Sequence, residues 1–169
     1  MLKKVLLAVT LCLFASSCLH ATPLPTGVWE TASFGTTGST VTGSPFTFND
    51  SASTVLTITD IEFPGDTFSV FENGNLIGTT NSVTPIVGTF CFSPDECLAN
   101  SLYSHGEFDF AAGPNSITIK VANSPFDGGN VAFRLDPAPP AVTPEPGSLF
   151  LLSTGLLGAG LVVKSRVIA

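Results

Sequence analysis

The feature that most restricts the fold is a set of short segments in which apolar and polar side chains alternate. Residues 53–60, STVLTITD, set Leu56 and Ile58 against threonines on the other side. Four more segments alternate in the same way, starting at Asp66, Gly106, Asn115 and Asn130. A period of two indicates β-strands, and turn sequences such as Asn73-Gly74 separate the segments. The sequence therefore predicts an all-β body of about eight strands, a single-domain β-sandwich or jelly-roll-like fold.

Phenylalanine dominates the aromatic residues. The chain has 14 Phe but one Trp and one Tyr. We expect the phenylalanines to fill the core, as large apolar side chains usually do. Trp29 and Tyr103 are then the candidates for stacking on a ligand.

The N-terminus predicts a secretory signal peptide over residues 1–21. Lys3 and Lys4 are followed by an apolar stretch that is too short to span a bilayer, and then by small and polar residues. Cleavage after Ala21 is one possibility. Cleavage after Ser17 is the alternative, and it would leave Cys18 at the new N-terminus for lipidation.

Charge is distributed very unevenly along the chain. All thirteen acidic residues lie between Glu30 and Glu145, where Lys120 and Arg134 are the only lysine and arginine, so this stretch has a net charge of −11. Nucleic-acid binding requires a basic surface, so we do not expect this protein to bind nucleic acid. Cations, neutral glycans and basic partners remain compatible with the charge.

Two cysteines remain beyond the signal peptide. Cys91 and Cys97 are close enough in sequence to close a small ring, and export implies an oxidising compartment, so we predict a disulfide. A structural zinc site needs four ligands, whereas this part of the chain offers only these cysteines and His105.

The C-terminus predicts a short membrane helix at residues 148–169. Leu149–Val163 is uncharged and would be about 23 Å long as a helix, against a hydrocarbon core of about 30 Å. Lys164 and Arg166 follow this run and place the C-terminus in the cytoplasm by the positive-inside rule. A buried C-terminal element is the alternative, but a proline-rich stretch at residues 137–147 separates the run from the body.

This tail resembles the sorting signal of PEP-CTERM proteins. Pro144, Glu145 and Pro146 match the motif, Leu149–Val163 matches the apolar run, and the basic residues after it match the basic end. The resemblance implies export in a Gram-negative bacterium that makes exopolysaccharide. It also implies recognition and cleavage by a membrane-embedded exosortase, and delivery from the inner membrane to the cell surface or matrix.

Candidates for chemistry are few. Asp60, Glu62 and Asp66 surround one oxygen-rich turn and are the candidate ligands of a calcium ion, although their spacing matches no known calcium loop. Glu107 and Asp109 are the best carboxylate pair for a hydrolase, but alternation with apolar residues is typical of a solvated strand face.

We therefore expect a signal peptide (1–21), a β-sandwich ectodomain (22–136), a linker containing the Pro-Glu-Pro motif (137–147) and a membrane sorting tail (148–169). The expected function is that of a non-enzymatic surface or matrix protein that associates with exopolysaccharide and needs no cofactor other than, at most, calcium. A carbohydrate-binding module is one alternative, and a polysaccharide hydrolase is another.

Overall fold

The computed structural model describes residues 21–140, which form nine strands and one short helix. In chain order these elements are β1 (Thr22–Pro23), β2 (Glu30–Phe34), β3 (Phe46–Asp50), β4 (Thr54–Ile61), β5 (Thr67–Glu72), β6 (Asn75–Thr79), α1 (Pro94–Ala99), β7 (His105–Phe110), β8 (Gly113–Asn123) and β9 (Gly129–Pro137). No helix among residues 21–140 is long and apolar enough to cross a membrane. The predicted signal peptide, apart from Ala21, and the predicted membrane helix lie outside the described residues.

The strands form two sheets that pack as a β-sandwich, as the sequence predicts. One sheet has five strands in the order β1-β3-β8-β5-β6, and the other has four in the order β2-β9-β4-β7. Neighbouring strands are antiparallel except β1 and β3. The five alternating segments of the sequence become β4, β5, β7, β8 and β9, so these predictions are confirmed.

Phenylalanine pairs join the two sheets across the core. Each pair has one ring from each sheet, and the centroids are 4.7–5.5 Å apart: Phe34 with Phe68, Phe46 with Phe133, and Phe48 with Phe110. Leucine, isoleucine and valine from both sheets surround these rings. Burial of each such side chain contributes roughly 1.5–3 kcal/mol, so this layer is the main source of stability. The expectation of a phenylalanine core is met for these rings.

The turn between β5 and β6 takes the predicted hairpin form. Asn73 and Gly74 have φ values of 48° and 86°. Positive φ at both central positions fits the right-handed twist of the flanking strands, and Asn-Gly adopts it at low cost.

A second apolar cluster lies on the outer face of the four-stranded sheet. The chain between β6 and β7 contains α1, which packs against β4. The cluster consists of Ile61, Cys91, Cys97, Tyr103 and Ala132, with Trp29 at its edge. As a result β4 is buried on both faces, although its alternating sequence predicts one solvated face.

Cys91 and Cys97 form a disulfide, as predicted. Pro94 begins α1 inside the ring that the disulfide closes, and Cys97 is fully buried. The disulfide therefore fixes the segment that covers β4.

We expect the double substitution Cys91→Ala and Cys97→Ala to lower the free energy of unfolding by about 2–3 kcal/mol. Loss of the cross-link restores the entropy of the unfolded loop. Guanidinium titration of this variant and of Ser93→Ala, which keeps the ring, measures the difference. An unchanged unfolding midpoint in the double variant would contradict the stabilising role of the disulfide.

Candidate binding surface and buried aspartate pair

Two turns meet at one end of the sandwich. The first, residues 62–66, joins β4 to β5, and the second, residues 124–128, joins β8 to β9. A Cβ on Gly65 would lie 3.0 Å from Cγ of Pro125 and 3.1 Å from Cα of Pro85, so only glycine fits between these neighbours. Gly65 also has a φ of 142°, which favours glycine. The two turns are therefore in direct contact.

The disulfide segment is attached to the first turn. The amide of Glu62 donates a hydrogen bond of 2.6 Å to the carbonyl of Cys91, and the amide of Cys91 donates one of 3.2 Å to the carbonyl of Glu62. This pair of hydrogen bonds places Phe90, which precedes Cys91, beside Phe63, and Phe92, which follows Cys91, lies next to Phe90.

Four exposed rings form a continuous surface across these three segments. We call Phe63, Phe90, Phe92 and Phe126 the phenylalanine patch. Centroid distances are 5.7 Å from Phe126 to Phe63, 4.6 Å from Phe63 to Phe90, and 6.2 Å from Phe90 to Phe92. Phe92 is 70% exposed and Phe90 is 55% exposed. The expectation that phenylalanines pack in the core is wrong for these four.

The phenylalanine patch leaves apolar surface in water at a cost to solubility. Contiguous exposed apolar surface on a soluble domain usually marks a binding site. The rings are also held by a disulfide, a pair of backbone hydrogen bonds and two packed turns. A ligand would therefore meet a largely preformed surface, which limits the entropy lost on binding.

Trp29 and Tyr103, the two candidates for ligand stacking, are not free to stack. Tyr103 is fully buried, and its hydroxyl donates a hydrogen bond of 3.1 Å to the carbonyl of Glu62. Trp29 is half-buried, and the guanidinium of Arg134 covers its ring at 4.6 Å from the centroid. The indole N–H donates to Oδ1 of Asp95 at 3.0 Å. Both rings have structural roles.

A buried pair of carboxylates, Asp60 and Asp66, lies at the two ends of the turn that carries Phe63, and we call it the aspartate pair. Their exposed fractions are 0% and 2%. Oδ2 of Asp60 accepts hydrogen bonds from the backbone amides of Gly65 at 3.1 Å and of Asp66 at 3.2 Å. Oδ1 of each aspartate is buried and has no hydrogen-bond partner. Such groups are costly, because a buried polar atom has lost its water without a replacement.

Burial raises the pKa values of both aspartates. The pKa of Asp60 rises to about 8, first because burial disfavours the charged form and then because Asp66 is a like charge nearby; amide hydrogen bonds partly oppose the rise. The pKa of Asp66 rises to about 6 through burial, against a hydrogen bond with Ser124. Without a counter-ion, the pair therefore holds a proton near neutral pH.

Glu62, the third predicted calcium ligand, is directed to a different partner. Its Oε1 accepts a hydrogen bond of 2.8 Å from Nδ2 of Asn130. Among residues 21–140 no three acidic, histidine or cysteine side chains lie close enough together to hold a metal. The structure therefore brings Asp60 and Asp66 together but does not form the predicted group of three.

The other candidate residues lie on β7, where His105 pairs with Thr59 beside the aspartate pair and the carboxylates lie farther along the strand. Glu107 and Asp109 are exposed on β7, while Phe108 and Phe110 between and after them face the core. His105 lies with Nδ1 3.1 Å from the carbonyl oxygen of Tyr103. These contacts give no arrangement of a nucleophile with a base.

A depression of about 430 Å³ lies over β3 and β8. Polar uncharged side chains, including Asn49, Asn73 and Ser116, line it, and its one aromatic lining residue, Phe48, is buried. The depression offers hydrogen bonds, whereas the phenylalanine patch offers ring faces.

Residues 142–166 match the family model of the PEP-CTERM protein-sorting motif. The resemblance of the tail to this signal is confirmed, and it covers Pro144, Glu145 and Pro146. Such a signal implies an exported protein that is processed at the membrane by an exosortase. A search of curated proteins finds no significant match to the chain.

Several solved structures resemble the described fold. The pre-peptidase C-terminal domain of a collagenase from Bacillus anthracis is 11% identical, with a TM-score of 0.40 over 69% of this chain and 94% of that one. A β-1,3-glucan-binding CBM6 from Bacillus halodurans is 15% identical, with a TM-score of 0.38 over 64% and 84%. A CBM35 from Cellvibrio japonicus is 11% identical, with a TM-score of 0.37 over 66% and 99%.

In the presence of EDTA, we expect the free energy of unfolding to fall as the pH rises from about 4 to about 8. The folded state keeps a proton on Asp60 that the unfolded chain releases near its ordinary pKa of 3.8, so rising pH favours unfolding. Urea titrations at several pH values measure the slope. The fall should exceed about 1.4 kcal/mol, the equivalent of one pKa unit.

The variant Asp60→Asn should flatten this dependence, whereas Asp109→Asn, which changes an exposed carboxylate, should keep it. The same slope in Asp60→Asn and in the wild type would refute the assignment to Asp60.

Proposed function

We propose that this protein is a non-enzymatic component of the cell surface or extracellular matrix that binds a neutral polysaccharide through the phenylalanine patch. The single observation that carries the proposal is the row of four exposed rings held by three fixed segments. Apolar C–H faces of sugar rings stack on aromatic faces, and a row of rings suits a ligand with repeated units. The protein would thus act as a carbohydrate-binding module whose ligand is the exopolysaccharide.

Charge supports a neutral ligand. Between residues 22 and 140 the chain has twelve acids and only two lysine or arginine side chains. Lys120 lies 5.1 Å above the ring of Phe71, and Arg134 pairs with Asp136. An anionic polymer would find repulsion rather than ion pairs on such a surface.

The sorting signal accounts for delivery in this proposal. Pro144, Glu145 and Pro146, within the predicted proline-rich linker at residues 137–147, are recognised as a substrate by an exosortase. The predicted signal peptide (1–21) directs export, and the predicted sorting tail (148–169) holds the precursor in the inner membrane, with Lys164 and Arg166 on the cytoplasmic side.

To test the binding surface, exopolysaccharide from the native host is sedimented with residues 22–140. Both buried clusters lie between Leu24 and Leu135, so this fragment contains the whole described fold. The double variant Phe90→Ala and Phe92→Ala should weaken binding at least tenfold, because the two most exposed rings are lost. Tenfold corresponds to about 1.4 kcal/mol.

The matched control is Leu76→Ala, which removes an exposed apolar side chain of the β5–β6 hairpin and should bind like the wild type. Unchanged binding in the double phenylalanine variant would move the site elsewhere, with the depression over β3 and β8 as the next surface to alter. No binding by the wild type would overturn the glycan proposal and leave the patch as a contact for another protein.

To test sorting, the intact mass of the protein is measured after recovery from the native host. The wild type should lack the apolar tail, whereas a triple alanine variant at Pro144, Glu145 and Pro146 should keep it and remain in the membrane fraction. Alanine at Pro139 and Pro140, in the same linker but outside the motif, should leave processing unchanged. A wild-type mass that includes the full tail would contradict cleavage.

A further inference from the structure

The aspartate pair faces the interior of the sandwich. Asp60 lies in β4 two residues after Ile58, which is fully buried in the core between the sheets. Side chains two residues apart in a strand share a face, so Asp60 is directed into the same core. Asp66 belongs to the turn before β5, and a Cβ on Gly129 would meet both its Oδ2, at 3.6 Å, and the ring of the core residue Phe34. The two carboxylates therefore lie at the same end of the core.

Each carboxylate presents one oxygen that nothing in the described structure satisfies. Oδ1 of Asp60 and Oδ1 of Asp66 are both buried without a hydrogen-bond partner. The other oxygen of Asp60 is fixed by the amides of Gly65 and Asp66. These amide hydrogen bonds hold the Asp60 carboxylate in one orientation, with Oδ1 unpartnered.

The basic side chains of residues 21–140 do not neutralise the pair. The ion pairs found in this part of the chain join Arg134 to Asp95 and Asp136. Lys120 lies over Phe71, and His105 contacts the carbonyl of Tyr103. Two buried carboxylates without a basic partner require a proton or a metal cation to compensate their charge.

We propose that Asp60 and Asp66 bind one divalent cation, Ca²⁺, through their unpartnered Oδ1 atoms. Two carboxylates supply hard oxygen ligands of the type that Ca²⁺ prefers, and backbone carbonyls and water complete its coordination in many proteins. This site uses two of the three residues that the sequence suggested and excludes Glu62, whose carboxylate accepts a hydrogen bond from Asn130.

The position of the site gives the cation a structural role. Nδ2 of Asn123 donates a hydrogen bond of 3.5 Å to the carbonyl of Gly65, and the next residue, Ser124, accepts at Oγ a hydrogen bond of 3.0 Å from the amide of Gly128. A cation on the aspartate pair would therefore tie the turn at residues 62–66 to the turn at residues 124–128. These turns carry Phe63 and Phe126, but cation binding stands independently of any ligand of the phenylalanine patch.

The test uses the full chain in a non-ionic detergent, stripped with EDTA and dialysed to pH 8. Equilibrium dialysis with radioactive Ca²⁺ should find one ion per chain, with a Kd between roughly 10⁻⁵ and 10⁻³ M, which extends from the weakest sensor sites to extracellular sites. Thermal unfolding in about 5 mM CaCl₂ should have a midpoint about 5 °C above that in EDTA, because the ion binds only the folded state.

Variants locate the site. Asp60→Asn and Asp66→Asn should each weaken Ca²⁺ binding at least tenfold. Asp127→Asn should bind Ca²⁺ like the wild type, because this carboxylate is exposed on the neighbouring turn. Asp127 has a φ of 59°, which asparagine also adopts readily. Glu62→Gln should also bind like the wild type.

Absence of Ca²⁺ binding by the wild type at pH 8 would overturn the proposal, and this readout does not depend on any variant folding. Binding that survives Asp60→Asn and Asp66→Asn, or that Glu62→Gln weakens as much as Asp60→Asn does, would overturn the assignment to the aspartate pair. Neither result bears on polysaccharide binding by the phenylalanine patch, which has its own assay.

Discussion

Packing of phenylalanine between the two sheets is the interaction on which the rest of the structure depends. Three ring pairs, each with one member from each sheet, span the core. Phe34 and Phe68 form the pair whose strands run closest to the aspartate pair, since Asp66 lies two residues before Phe68. This layer packs β4 and β5 against each other on either side of the turn whose amides donate hydrogen bonds to Asp60.

The same residue type serves two opposite purposes in this chain. The core rings of β2, β3, β5, β7 and β9 are buried, with Phe71 of β5 half-buried on the outer face, whereas the four rings of the phenylalanine patch lie in turns and in the disulfide segment. Strand rings are buried because the pleat directs alternate side chains inward. The patch rings lie on connections that run over the surface, where no second layer covers them.

This difference explains how much the sequence could reveal. Period-two alternation identified five strands, the Asn73-Gly74 hairpin and the sandwich class, because these patterns are local. The burial of both faces of β4 was missed, since it depends on the segment with α1 folding back from more than thirty residues away along the chain. A count of aromatic residues made Trp29 and Tyr103 candidates, but only tertiary contacts show that Arg134 covers one and the core encloses the other.

The aspartate pair was also only half visible in the sequence. The oxygen-rich turn indicated where a site could form. Which of its carboxylates face the core depends on where β4 ends, because side chains alternate between the two faces of a strand. Leu56, Ile58 and Asp60 are alternate residues of β4 and face the core together. Glu62 would be the next residue on this face if the strand continued. It does not, because Glu62 has a φ of 72°, which ends the regular pleat and turns its side chain toward Asn130.

Export connects the tail of the chain to the chemistry of its body. The disulfide that positions Phe90 and Phe92 requires an oxidising compartment, and thiols in the cytoplasm would stay reduced. Calcium sites of extracellular modules work at ion concentrations near 10⁻⁴–10⁻³ M, which a cytoplasm does not provide. The disulfide, and the calcium site we propose, would therefore be complete only outside the cytoplasm. The sorting signal would therefore also serve folding, because it belongs to a chain that is exported to a compartment where the disulfide can form and fix the segments that carry the phenylalanine patch.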